Sequence, residues 1–503
     1  MAKPKVVLFL PKARKHTFHG TPPIALLKLA SMLDPKKFDV KIITAKPDVD
    51  YEAEVVENSK DALCVCLSVL TGNDITNAIE TIKKIKAVSN APIIWGGWHA
   101  SIFPHQTLES RWVDIIIRGQ GERTFQELVA RLSKKQGLKG LQGCSFKEKG
   151  GKIIHNEDRA FEDINNFSPI NYDFVNLEDY ICTFEGVPSL VSFTSQGCPF
   201  SCKFCAEPVV YKRRWSSLTN ERVLDEWELF AKKYKVKYVG ITDDNFFVDE
   251  KKAADFCRKL IKKNLGLQWK ACGRARQMLA FKDSTWKLIE KAGCNVIEIG
   301  DESGIQSTLD AINKQQTVEE MVEFVKKCQK HKIKVMHNFI YGLPLPQFKG
   351  LQKKEINKLI FKEWLAMFDI MDKYYSKEKN YFEVRFCPYY PYPGNPLFDL
   401  ACELGFKAPA KLEEWGDFRP AVWLDDSWNK KRRMILHFIF PYAKDDYQKY
   451  HIQKFKIIQR LFHETAKLRW KYRYFGFPLD YKMYDFYTKL RMLLTNQSAT
   501  EHD

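Results

Sequence analysis

The sequence predicts an α/β protein in three parts: a doubly wound parallel sheet, a partial (β/α)6 barrel and a helical C-terminal region. Two observations predict the sheets. Short runs rich in Val, Ile and Leu alternate with amphipathic stretches through most of the first 400 residues. These runs show little period-2 alternation, which is how strands buried on both faces read. The third observation is that a basic, aromatic-rich helical pattern replaces the alternation beyond residue 400.

In order along the chain, the first apolar runs are residues 6–10, 40–43, 62–67, 93–95 and 113–117, with helical patterns at 22–33, 75–85 and 124–132. This predicts a Rossmann-like sheet over residues 1–135, with ligands at the C-terminal strand ends. Polar and Gly-rich residues cluster there: Ser68-Val69-Leu70-Thr71-Gly72, Gly96-Gly97-Trp98-His99 and Gly119-Gln120-Gly121-Glu122. Residues 136–185 read as a linker with a small β element, because Gly150-Gly151 marks a hairpin turn. Over residues 186–400 the alternation resumes. Strands are expected at 190–194, 238–242, 268–272, 296–299, 334–340 and 382–386, and helices at 220–233, 251–263 and 318–331. Six such units predict a TIM-type barrel, whole or partial, with its chemistry at the C-terminal strand ends. Residues 401–503 read as helical.

The composition is that of an ordinary globular protein: 45% of 503 residues are hydrophobic and 28% charged. No apolar run approaches the ~20 residues needed to span a bilayer. The run at 6–10 is too short for the core of a signal peptide. A cytoplasmic location is therefore expected, and in that reducing setting most of the 13 cysteines are small buried hydrophobes. Formal net charge is +18. Residues 430–494 hold 16 Lys or Arg against 5 Asp or Glu, so that stretch alone carries +11. Basic charge suggests nucleic acid, an anionic membrane or an acidic substrate without choosing among them.

One cysteine group is tight: Gly197-Cys198-Pro199-Phe200-Ser201-Cys202-Lys203-Phe204-Cys205, directly after the first barrel strand. Three thiolates on one loop can converge on a metal centre. Structural zinc takes four N or S ligands, and Cys182 and Cys257 are the nearest further cysteines. A 4Fe–4S cluster fully ligated by cysteine also takes four, so three leave one iron open for chemistry. The loop resembles the C-x3-C-x2-C hallmark of the radical S-adenosylmethionine superfamily, with Phe204 as the aromatic before the last cysteine. The resemblance implies that Cys198, Cys202 and Cys205 hold the cluster and that S-adenosylmethionine chelates the open iron. One electron would then cleave it to methionine and a 5′-deoxyadenosyl radical. It further implies that Asp243 and Asp244, in Thr242-Asp243-Asp244-Asn245-Phe246, accept the methionine amino group. Arg274 or Arg276 would pair with its carboxylate. Glu302 or Ser303, in Gly300-Asp301-Glu302-Ser303-Gly304, would bond the ribose hydroxyls, and the segment from His337 to Pro344 would back the adenine. Asp301 stands where the family usually has a small or apolar residue.

The first 135 residues look like the cobalamin-binding domain that precedes such barrels. The carrying residues are Ser68, Leu70, Thr71, Gly72, Gly96, Gly97, His99, Gly121 and Glu122, together with Thr21-Pro22-Pro23, Ala100, Gly119, Thr124 and Phe125. Small residues at strand ends let backbone approach a flat corrin closely. The D-x-H-x-x-G of cobalt-ligating relatives is missing, so His16 and His19 are expected to be loop residues rather than cobalt ligands, leaving the lower cobalt face to water or to nothing. Near the C-terminus, Phe386 to Leu397 resembles the segment that closes the family's barrel beside the substrate. Lys467 to Pro478 interleaves bases with aromatics. It reads as a helix packing its aromatics on the barrel, as a membrane-surface face, or as a nucleic-acid contact. The second reading is kept open and the third set aside.

The resemblance implies a methyltransferase that places a methyl group on an unactivated carbon or phosphorus by way of methylcobalamin and the deoxyadenosyl radical. A cyclase or rearrangement enzyme acting on a lipid-like or tetrapyrrole substrate shares every one of these motifs. A cobalamin-dependent sensor that binds nucleic acid is the alternative from another class; it would need no open iron. Methylthiolation of transfer RNA calls for three more cysteines in the first domain, where only Cys64 and Cys66 lie. Expected partners are a small-molecule or lipid-like substrate and an electron donor such as flavodoxin or ferredoxin.

Overall fold

The computed structural model describes residues 3–12, 20–45, 50–375, 381–417, 426–439, 456–476 and 479–495. His16 and His19 lie outside the described residues. The first sheet has seven strands: Lys5–Leu10 (β1), Asp39–Thr44 (β2), Ala62–Ser68 (β3), Ile93–Gly96 (β4), Ile115–Ile117 (β5), Cys144–Lys147 (β6) and Ile153–His155 (β7), in the order β2-β1-β3-β4-β5-β6-β7. The first five pair in parallel. The lack of alternation in the sequence has its cause here. Val6 and Leu8 face one core and Val7 and Phe9 the other, and all four are fully buried.

The expected hairpin forms, with Gly150 and Gly151 at φ +100° and +87° in its turn. It does not stand apart as a linker element. Ile116 pairs with Ser145, so β6 and β7 extend the sheet to His155, past the boundary expected at residue 135. Without them β5 would be a buried edge with unpaired peptide groups.

The second sheet runs β16-β15-β14-β13-β12-β9-β8 and stays open. Its strands are Cys182–Phe184 (β8), Val187–Ser192 (β9), Tyr238–Ile241 (β12), Gln268–Gly273 (β13), Cys294–Glu302 (β14), Lys334–Tyr341 (β15) and Tyr381–Pro388 (β16). The six expected runs are β9 and β12 to β16, all parallel. The sequence did not announce β8, an antiparallel edge on β9. Nor did it announce a ribbon of Ser195–Gly197 (β10) and Trp215–Ser217 (β11), which brackets the cysteine loop. Helices cover the outside. Val318–Lys330, for example, begins in a capping box of Thr317 and Glu320 and buries Met321, Phe324, Val325 and Cys328.

The C-terminal region divides between the two sheets. Leu412 and Trp415 join the core of the first sheet, where a side chain on Gly416 would collide with Thr76. The helix Lys456–Lys471 instead packs Phe462, Ala466 and Trp470 into the core around Trp364 and Phe368, on the helix Lys353–Tyr375. Among the described residues no helix is long and apolar enough to cross a membrane.

Candidate active site at two facing strand ends

The cysteine loop leaves the sheet just beyond β9. Gly197 is at φ +81°, and a β-carbon there would run into the carbonyl of Arg214, so only glycine lets β10 and β11 close over the loop. Cys202 is buried, and Cys198 and Cys205 are partly so. Burial pushes the Cys198 thiol up to about 11 and that of Cys205 higher still. A thiolate here therefore needs a cation beside it. Arg274 supplies one: Nη1 donates to Cys202 Sγ at 3.1 Å, and the guanidinium lies 4.0 Å over the Phe200 ring. Arg276 points elsewhere, to the carbonyl of Gln315 and to Glu320. Among the described residues no three His, Cys, Asp or Glu side chains converge on a single ion. A cubane does not ask for that, because each thiolate binds its own iron.

The two aspartates after β12 part company. Asp243 is buried, and its carboxylate accepts from Thr194 N at 2.8 Å, from Ser195 Oγ at 2.7 Å and from Thr194 Oγ1. It braces the turn that leads into the cysteines. Burial raises its carboxyl, and the bonds from Thr194 and Ser195 offset part of that. Asp244 points to the open strand end and shares a hydrogen bond with Glu207, two residues past Cys205. Burial and the charge of Asp243 push Asp244 up to about 6, with the Glu207 hydrogen bond offsetting part of the rise; burial and the charge of Asp244 push Glu207 up to about 9, so the pair holds a proton between them. Glu207 is almost fully buried and its Oε2 has no partner.

Glu302 ends β14 at φ +64°, with Oε1 held by Lys314 Nζ at 2.8 Å in a buried pair. Ser303 behaves differently. Its hydroxyl is engaged by Glu363 and by Ile305 N behind the sheet, so of the two residues expected at the ribose only Glu302 stays near the strand end. Asp301 likewise turns behind the sheet, onto His337. Phe204 is half-buried, and its carbonyl accepts from Asn395 Nδ2 at 3.3 Å.

At the first sheet, Gly97 is at φ +92°, and a β-carbon there would lie 2.8 Å from the carbonyl oxygen of Val69 and 3.0 Å from Ser68 Oγ. This glycine draws the loops after β3 and β4 together. Gly72, at φ +119°, faces open space, and Leu70 is 54% exposed beside Thr71. Gly96 ends β4, and Gly121 seats the helix Glu122–Ser133 against Ile117. His99 is fully buried between Phe103 and Trp415. Its Nδ1 meets Thr71 Oγ1 at 3.1 Å, its Nε2 has no partner, and burial pushes its pKa down to about 4. Glu122 pairs with Lys28 at 2.5 Å, and the same ammonium lies 4.0 Å over Phe193, just past β9.

The two strand ends meet. Gln120 Nε2 donates to Gln196 Oε1 at 3.2 Å, two residues before Cys198. Beyond the cysteines, the carbonyl of Val210, in the helix Glu207–Tyr211, lies against Gly119. Known proteins share this pairing of sheets. Residues 192–346 match the model of the radical SAM superfamily, and residues 16–129 match that of the B12 binding domain. The chain is 31% identical over 350 residues to an uncharacterised methyltransferase of Pyrococcus horikoshii, covering 68% of this chain and 74% of that protein. The chain belongs to the cobalamin-dependent radical SAM enzymes.

The anaerobic magnesium-protoporphyrin IX monomethyl ester cyclase of Rubrivivax gelatinosus is 26% identical over 300 residues, and the match spans 53% of that protein. Two solved structures share the fold at 18% identity. They are the cobalamin-dependent radical enzyme OxsB (TM-score 0.71, 97% of this chain and 75% of that one) and the methyltransferase TsrM of Kitasatospora setae (0.63, 81% and 80%). Cobalamin-dependent radical SAM enzymes use a 4Fe–4S cluster, S-adenosylmethionine and cobalamin. The residues present fit all three. The loop offers three sulfurs and one cation, the unpartnered Glu207 oxygen suits an ammonium, and Gly72 and Leu70 leave an open apolar face at the first sheet.

Sequence reasoning missed Glu207, because one Glu opening a helix reads as an ordinary N-terminal charge. It also missed Lys314 and Trp415, which reach the site from distant turns and carry no motif.

Proposed function

We propose that this chain is a radical methyltransferase, placing a methyl group on an unactivated carbon or phosphorus of a small-molecule or lipid-like substrate. The observation that carries this reading is the contact of the cysteine loop with the end of the first sheet, through Gln120 and Gln196. It sets the loop that would hold the radical source beside the sheet end that would hold the methyl carrier. When bound, the cluster supplies the electron that cleaves S-adenosylmethionine to a hydrogen-abstracting radical, and cobalamin carries the methyl group.

The chain's own residues have separate tasks. Cys198, Cys202 and Cys205 hold the cluster and leave one iron without a protein ligand. Arg274 offsets thiolate charge at Cys202, a task beside the expected carboxylate pairing. Asp244 and Glu207 accept the methionine ammonium, a cation that takes the place of the proton they share. Asp243 keeps the loop in register with β12. Glu302, fixed by Lys314, would accept from ribose hydroxyls, and Phe204, half-buried before Cys205, would shield the cysteine loop from water. At the first sheet, Ser68, Leu70, Thr71, Gly72, Gly96 and Gly97 form the face for the corrin, with Gly121 opening the neighbouring strand end. His99 and Glu122 are buried behind that face and position it. A flavodoxin or ferredoxin is the electron donor that suits such a cluster.

Feeding methyl-labelled S-adenosylmethionine tests the reading. Labelled product, with both S-adenosylhomocysteine and 5′-deoxyadenosine formed, is expected. The similarity to the protoporphyrin cyclases favours one second reading, ring formation or rearrangement. Product without label at normal deoxyadenosine yield would select it.

A further inference from the structure

The last two helices carry apolar residues that no core uses. Eleven large hydrophobic side chains of the described residues are exposed, and seven of them fall between residues 461 and 486. Leu461, Leu468 and Tyr472 are spaced i, i+7 and i+11, which sets them on one line of the helix Lys456–Lys471 and the turn that ends it. The line that packs on the barrel is different, made by Phe462, Ala466 and Trp470. The helix Leu479–Thr495 repeats the arrangement. Leu479, Met483 and Phe486 are exposed at i, i+4 and i+7, while Tyr487 turns inward onto Phe462. Tyr474, in the connection between the helices, is exposed as well. The two helices are fastened to each other by Arg469, which reaches both oxygens of Asp480 at 2.6 Å. Arg473 fixes the connection to Asp372 at 2.7 Å. These helices are thus docked, with one apolar stripe used and a second left in water.

Charge selects the occupant. Residues 456–495 contain nine Lys or Arg and three Asp or Glu, a net of +6. Arg460, Lys467 and Lys471 are exposed and follow one another along the helix beside the free stripe. Lys482 is exposed between Leu479 and Phe486. Leucine, phenylalanine and tyrosine on a line flanked by cations match a bilayer surface, where the apolar groups enter the acyl boundary and the cations meet headgroup phosphates. A solvated helix has no use for the apolar stripe, and a core helix has none for the cations.

We propose that the helices Lys456–Lys471 and Leu479–Thr495 form a docking face for a membrane rich in anionic lipid. The enzyme would then work as a peripheral protein with this face against the headgroups.

Co-sedimentation of the cluster-loaded full chain with vesicles tests this. The two preparations are phosphatidylcholine alone and phosphatidylcholine mixed with phosphatidylglycerol. The protein should pellet with the mixed vesicles only, and added salt should release it. Lys467→Ala and Lys471→Ala should each weaken binding about fivefold, near the value of one cation at an anionic surface. Leu468→Glu with Phe486→Glu should weaken it about tenfold or more. Iron content and deoxyadenosine yield should stay at wild-type level in all of these variants, since every replaced side chain is exposed. Wild-type protein that stays in the supernatant with both vesicles overturns the proposal. So does equal binding to both, or vesicle binding that the Glu pair does not touch. Light scattering that shows a dimer abolished by the Glu pair, without vesicle binding, would assign the face to a second copy instead. Salt-sensitive RNA binding lost in the Lys variants, again without vesicle binding, would assign it to nucleic acid.

Discussion

At the end of β12 the chain places two aspartates in succession, and at the end of β4 two glycines. The barrel end gathers thiols, carboxylates, Arg274 and Lys314, groups that are costly to bury unless something of opposite charge joins them. The end of the first sheet gathers glycines, an exposed leucine and a histidine held neutral by burial. One end is unfinished electrically and the other is unfinished sterically. The difference teaches what each is built to receive: an ionic cluster and a zwitterion in one case, a broad and nearly neutral face in the other.

The hardest blow to this contrast is at the cysteines. Replacing Cys198, Cys202 and Cys205 together with Ala should take iron from about four per chain to none. Deoxyadenosine formation should vanish while cobalamin binding persists. Deoxyadenosine from the triple variant would break the comparison outright.

The next effect divides neighbours. Asp243→Ala strands Thr194 N and two hydroxyls in a buried site and should cost about 3 kcal/mol. A lower Tm and poor iron uptake should follow. Asp244→Asn should leave Tm and iron unchanged and act on S-adenosylmethionine affinity alone, weakening it about tenfold, near 1.4 kcal/mol. Equal behaviour of the two variants would erase the distinction between brace and ligand.

Acid should find the first sheet before the barrel. His99 has its pKa lowered to about 4 by burial, against about 6.5 when unfolded. Above 6.5 neither state carries the extra proton, and the packed histidine contributes in full. As pH falls from 6.5 toward 4 the unfolded chain takes up the proton and the folded one does not. Stability is lost over that window, by up to about 3 kcal/mol. Urea denaturation followed across this range should show the slope in wild type, and His99→Gln should flatten it. The steric change at this end is Gly97→Ala. Strain at φ +92° and contact with Val69 should cost about 1–3 kcal/mol, and cobalamin affinity should drop with iron content unaltered.

Much of this was legible in the residues. Runs such as residues 6–10 and 62–67 name their strands because a strand covered on both faces has no polar side to hide. The cysteine loop was legible because three thiols in eight residues have few other uses. The division of labour between Asp243 and Asp244 was not, since it depends on which of two adjacent side chains turns toward Thr194. Ser303 reads as a strand-end hydroxyl until Glu363, sixty residues on, is seen to hold it. The hairpin at Gly150-Gly151 could be read, but not its partner, because antiparallel pairing with β5 leaves no local mark in either segment.

Trp415 has a consequence in time. It lies against His99 and donates to Gln106 Oε1 at 2.7 Å, so the cover of the first sheet is a residue synthesised 309 positions after Gln106. At about 5–20 residues per second, the ribosome reaches Trp415 roughly 15–60 s after it has made the last strand of the parallel set. Through that interval the core around His99 lacks this cover. The order of manufacture thus leaves the core beside His99 uncovered until the barrel has been made, and the chain's own late arrival closes it.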